Sequence, residues 1–167
     1  MSYRNKIYVA FDADSDIRYY RLMTAWKQND NTNFDFYNAH DLNSIWNQSI
    51  EDTIKRRLRE RLNNTKVFVL LVGEKTKFLY KFVRWEIEQA LSMDLPIIVV
   101  NLNGKRGIDI DKCPLILKSE LALHVSFNAK IIQKALENWE LYHRKMRREG
   151  KTDPFYYDND VYKSFDL

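Results

Sequence analysis

The sequence predicts an α/β protein, a three-layer sandwich around a mainly parallel five-stranded sheet. Three observations carry that expectation. Residues 67–72 (VFVLLV) and 97–100 (IIVV) are apolar runs of the length and composition of strands buried on both faces. Between them Phe82, Val83, Ile87, Ala90 and Leu91 recur along one side of a helical pattern. Strand, helix and strand within about thirty-five residues is the spacing of a parallel crossover unit. Gly73 closes the first run, and Thr76 is placed to cap the helix that follows.

The remaining elements follow in chain order. Residues 6–11 (KIYVAF) read as the first strand. The acid-rich segment 12–16 leads into a helix in which Tyr19, Leu22, Met23 and Trp26 fall at i, i+3, i+4 and i+7; Asp14 or Asp16 suits its N-cap. After the turn cluster QNDNTN, residues 33–37 (NFDFY) read as a second strand. A loop over 38–47 carries His40, Asp41 and Trp46, and Ile50, Ile54, Leu58 and Leu62 then mark a helix by their spacing of four. Beyond residue 101 comes a long irregular connection, then residues 121–127 (LALHVSF) as a fifth strand. Asn128 caps a helix with Ile131, Ile132, Ala135, Leu136, Trp139 and Tyr142 inward, ending in cations before Gly150. Residues 1–150 thus form the expected domain, and 151–167 an aromatic, acidic tail without a period, expected to pack on the domain or on a partner.

Composition narrows the function classes. A chain of 167 residues, 45% hydrophobic and 14% aromatic, supports one packed core and argues against disorder. A net charge of +4 suits a phosphate-bearing small ligand and is too small to imply nucleic acid. The single Cys113 excludes an intrachain disulfide and fits a reducing compartment. No apolar run reaches the length of a membrane span and the start is polar, so the expectation is a soluble cytoplasmic protein.

Most candidate motifs dissolve on inspection. GEKT at 73–76 lacks the upstream glycine and residue order of a phosphate loop. His40, His124 and His143 lack partners at ligand spacing, so no metal is expected, and Cys113 has no activating neighbour. The cations of 55–61 alternate with acids around an amphipathic helix and read as a solvated face. Asp12, Asp14 and Asp16 could hold Mg²⁺ in a receiver-type site, but the third strand ends in Val-Gly-Glu where that chemistry needs an aspartate. There remains Glu86. An acid near a helix start is explained by the helix dipole alone; its position at the carboxyl edge of a parallel sheet, with Trp85, Phe11 and Trp46 as candidate aromatic walls, also suits a nucleotide pocket.

The blocks VAFDADSD, RLMTAW, LNNTKVFVLLVGEKT, FVRWEIEQAL and PIIVVNLNG, in this order over residues 6–104, resemble the TIR-like domains of the Thoeris anti-phage defence systems. The resemblance implies a flavodoxin-like fold and an enzyme that cleaves NAD⁺ between nicotinamide and ribose. NAD⁺ is then a substrate, and no cofactor or metal is expected. It also implies a cyclic or otherwise modified ADP-ribose product that a separate effector protein senses, and a homo-oligomer as the active form, with no nucleic acid or membrane involved. The family's W-V-x-[YW]-E-I motif stands here as FVRWEI, which assigns the catalytic carboxylate to Glu86, with Phe82 in place of the motif's tryptophan. Phe11, Asp12, Trp46 and Trp85 are the expected substrate-binding residues. Two alternatives stay open: a TIR-like interaction module without catalysis, and a nucleoside-processing enzyme of the same layered fold.

Overall fold

The computed structural model describes residues 6–29, 35–38 and 51–167. In order, these form β1 (Lys6–Ala10), α1 (Ala13–Asn29), β2 (Asp35–Asn38), α2 (Glu51–Asn63), β3 (Thr65–Val72), α3 (Val83–Ser92), β4 (Ile97–Asn101), β5 (Leu123–Ser126), α4 (Ala129–Arg148), β6 (Phe155–Tyr156) and α5 (Asn159–Lys163). One sheet runs β2-β1-β3-β4-β5-β6, and every neighbouring pair is parallel. The five expected strands all form, and the tail adds a sixth of two residues. Helices cover both faces, the α/β sandwich that the crossover spacing implies.

Each face has its own core. Ile7, Val9, Val69, Val100 and Val125 point toward α1, α4 and the tail; Tyr8, Ala10, Phe68, Leu70 and Val99 point toward α2 and α3. The alternation is the two-residue period of a strand, applied to a sheet apolar on both sides. Chain connections leave β1 in one direction and β3 in the other, so the crevice above their carboxyl ends is the topological switch point.

Helix periodicity survives with adjustments. Ile54, Leu58 and Leu62 of α2 are buried as the spacing of four requires; Ile50 lies outside the described residues, as do Trp46 and His40. In α1 Met23 is buried and Tyr19 and Trp26 pack against the same core as expected, while Leu22 is exposed and Asp16 and Tyr20 are buried, the Tyr20 ring stacked on Phe11 at 5.1 Å. The N-cap expected at Asp14 or Asp16 is Asp12, whose Oδ1 accepts from the Asp14 N–H. In α4, Asn128 accepts from the Lys130 and Ile131 N–H groups, as expected of a cap; Tyr142 faces solvent and His143 takes the inward position.

Thr76 does not cap a helix. Its hydroxyl accepts from the Gly73 N–H at 2.9 Å and approaches the Leu71 carbonyl at 3.4 Å, locking a short 3₁₀ turn, Thr76–Phe78, onto the end of β3. α3 starts only at Val83. The tail packs on the domain: Tyr162 is buried, its hydroxyl accepts from the Ser126 N–H at 3.2 Å, and Phe155 stacks on Trp139.

Candidate active site

The inward stripe of α3 consists of Val83, Glu86, Ile87 and Ala90. Three of these are what a helix on a sheet requires, and the fourth is an acid only 1% exposed. Removing a carboxylate from water costs several kcal/mol in order of magnitude unless it is neutralised or well solvated by fixed dipoles. Two sources of compensation are visible. Glu86 lies in the first turn of α3, where the helix dipole favours negative charge. Beside it stands Tyr8.

Tyr8 projects from β1 toward α2 and α3, fully buried, its ring stacked on Phe68 at 5.5 Å. Burial first, then the charge and proximity of Glu86, raise the phenol well above its ordinary pKa, and Arg61 acts in the opposite sense. The approach falls short of full hydrogen-bond geometry, yet it keeps a protonated hydroxyl next to the acid. Tyr8 is the site residue that sequence reasoning missed. The signal was a tyrosine at an inward position of an apolar strand, where a buried hydroxyl needs a polar neighbour.

The other expected site residues are dispersed. Trp85 is half-buried and turns toward α2, where the Lys55 amine and the Arg59 guanidinium lie 5.7 and 5.5 Å from its ring. Phe11 is in the core on the opposite face of the sheet, stacked on Tyr20. Asp12, buried at the end of β1, caps α1. Glu86 and Trp85 therefore share a helix, whereas Phe11 is separated from Glu86 by the sheet.

Above the carboxyl ends of β3 and β4 a cavity of about 230 Å³ is lined by Asp16, Arg18, Tyr19, Glu74, Asn103 and Lys112, among others. Asp16 reaches it by crossing Gly73, and its Oδ2 has no hydrogen-bond partner among the described residues. Burial, and then the Asp12 charge, raise its pKa. Glu86 does not line this cavity. Cys113 is buried and its thiol is pushed up to about 12 by desolvation, which makes it inert as a nucleophile. Among the described residues there is no cluster of three His, Cys, Asp or Glu side chains able to hold a metal and no helix long and apolar enough to cross a membrane.

A family model described as Thoeris protein ThsB, TIR-like domain, matches residues 8–107, more than half of the chain. The matched span runs from Tyr8 through Asp12, Gly73 and Glu86 to the connection after β4.

Proposed function

The chain belongs to the Thoeris ThsB TIR-like family of anti-phage defence proteins, and from that premise we propose that it cleaves NAD⁺ through Glu86. The observation that carries the reading is the acid in the apolar stripe of α3. Packing alone would place a leucine or alanine there, and a buried carboxylate is costly to the fold even with a protonated tyrosine beside it.

The chemistry matches the residue. Departure of nicotinamide, a neutral leaving group, leaves positive charge on the ribosyl carbon and ring oxygen. A carboxylate in a poorly solvated site stabilises that oxocarbenium-like transition state and orients the ribose hydroxyls. The pyridinium needs no proton to leave, so one acid suffices. Attack by water gives linear ADP-ribose; attack by another part of the same molecule, favoured when water is excluded, gives a cyclic product. Glu86 is 1% exposed in this conformation, so substrate contact requires that the first turn of α3 be uncovered, and assembly of several copies is the proposed trigger. The modified ADP-ribose would be read by a separate effector protein.

The test is NAD⁺ turnover by the purified chain at rising concentration, followed by nicotinamide release. Glu86→Gln is expected to abolish it while leaving the circular dichroism spectrum unchanged. Undiminished turnover by a folded Glu86→Gln protein defeats the proposal. The same burial of Glu86 favours one second reading, an interaction module without catalysis. It predicts no nicotinamide release at any concentration together with an intact partner complex.

A further inference from the structure

The turn between β3 and α3 faces the connection between β4 and β5 across a groove with a cavity of about 280 Å³. Its floor is apolar, formed by Val83 and Ile87 of α3 with Cys113 and Pro114. Its lips hold large apolar side chains in solvent: Phe78 is 58% exposed, Tyr80 66% and Leu115 79%. Exposed groups of this kind, gathered around a concave apolar floor, mark interaction sites rather than ordinary surface. The volume lies below that of a pocket for a drug-sized molecule and suits a side-chain anchor.

The groove is built rather than collapsed. Lys77 Nζ donates to the Asp111 carbonyl at 2.6 Å, tying the turn to the β4–β5 connection, and the Lys112–Glu74 pair of the neighbouring 230 Å³ cavity joins the same two segments. Asp109, buried beneath the far lip, accepts from Asn103 Nδ2 and from the Asp111 and Lys112 N–H groups, which fixes the loop leading to Cys113. Its electrostatics are one-sided. Among the described residues Lys77, Arg84 and Lys118 line the cavity and no acidic side chain does. Lys77 donates to a neutral carbonyl and lies 5.2 Å from the Phe78 ring, Arg84 has an exposed partner in Glu88, and among the described residues neither Lys77 nor Lys118 has an ion pair.

The chain's own acidic, aromatic tail is not the occupant, because Phe155 and Tyr162 are held in the core on the other face of the sheet. We propose that the groove docks an acidic segment of a partner protein, with one aromatic or leucine side chain seated on Val83 and Ile87 and flanking carboxylates on Lys77, Arg84 and Lys118. The cations give orientation and encounter rate, and the apolar floor gives affinity. The inference is independent of whether Glu86 is catalytic.

The experiment is fluorescence anisotropy with the full chain and a labelled octapeptide of six acidic residues around a central Leu-Phe pair. Two control peptides replace the acids by lysine or the Leu-Phe pair by serine. Expected is saturable binding of the acidic probe, weakened by salt and lowered about tenfold or more by Lys118→Glu and by Leu115→Ser. Both positions are solvent-accessible, and unchanged thermal melting certifies that the variants fold. The proposal is overturned by no binding, by equal binding of either control peptide, or by affinity unchanged in both variants. It is equally overturned if sedimentation shows a dimer that Leu115→Ser dissolves, since a second copy then fills the groove.

Discussion

Gly73 and Asp16 meet above the carboxyl ends of the strands so closely that a methyl group on Gly73 would sit 2.3 Å from Asp16 Oδ2 and 2.8 Å from its Cγ. The first helix thus lays its carboxylate directly over the backbone at the end of β3. Gly73 is required there by space and not by backbone conformation.

Gly73→Ala is expected to destabilise the protein by about 1–3 kcal/mol, the usual cost of overpacking, because the whole Asp16 carboxylate must move. In an Asp16→Ala background the same change should cost little. A urea-denaturation double-mutant cycle measures the coupling. A cost unchanged by removing Asp16 would show that the contact is not what excludes a side chain.

Asp16→Asn should raise stability at neutral pH. The folded-state pKa of Asp16 is raised above its ordinary value, first by burial and then by Asp12. The folded state therefore holds the proton more tightly than the unfolded one. Its contribution is favourable below the unfolded pKa and is lost as pH rises through the folded pKa. Melting temperatures of the Asn variant should exceed the parent's at pH 7 and converge with them in acid.

Tyr8→Phe keeps the stack on Phe68 and removes the hydroxyl beside Glu86. If Glu86 acts as proposed, kcat for nicotinamide release should fall about tenfold with KM little changed, the worth of one polar contact to a charged group. Stability should fall by about 1–3 kcal/mol, because the buried Glu86 loses a polar neighbour. A KM effect alone would place Tyr8 in substrate binding instead.

His124 is fully buried in β5, neither ring nitrogen has a hydrogen-bond partner among the described residues, and desolvation lowers its pKa to about 4. A depressed histidine keeps its full stabilising effect above the unfolded pKa near 6.5 and loses it as pH falls toward 4. The loss should reach about 3 kcal/mol, at roughly 1.4 kcal/mol per pH unit. Denaturation at pH 7 and pH 4.5 should show most of it, and His124→Leu should flatten the profile. His143, also lowered by burial, adds to it in the same direction.

Much of the fold was legible because its elements repeat a period. The four-residue spacing of Ile54, Leu58 and Leu62 and the apolar runs of β3 and β4 leave little choice of structure. Failures came where a few contacts overrule the period. Thr76 looks like a helix cap but is drawn onto the strand end by Gly73, which delays α3 to Val83 and leaves Phe78 and Tyr80 exposed. β6 and α5 are too short to show a period; Tyr162 and Phe155 place them through tertiary contacts. For the site, the acid at the start of α3 is legible in the sequence but its burial is not, since the apolar residues Phe82 and Leu91 suggest a stripe that passes Glu86 by. The Tyr8 contact joins distant parts of the chain, and no local pattern encodes it.

The two-residue β6 follows Pro154 and is succeeded at once by α5, so one margin of the sheet offers almost no free backbone. Polymer growth by adding strand to strand is closed along that margin. Copies that gather there must meet through helix and loop surfaces, whose charges respond to salt, and such an assembly should come apart again on dilution instead of setting into an amyloid-like fibre.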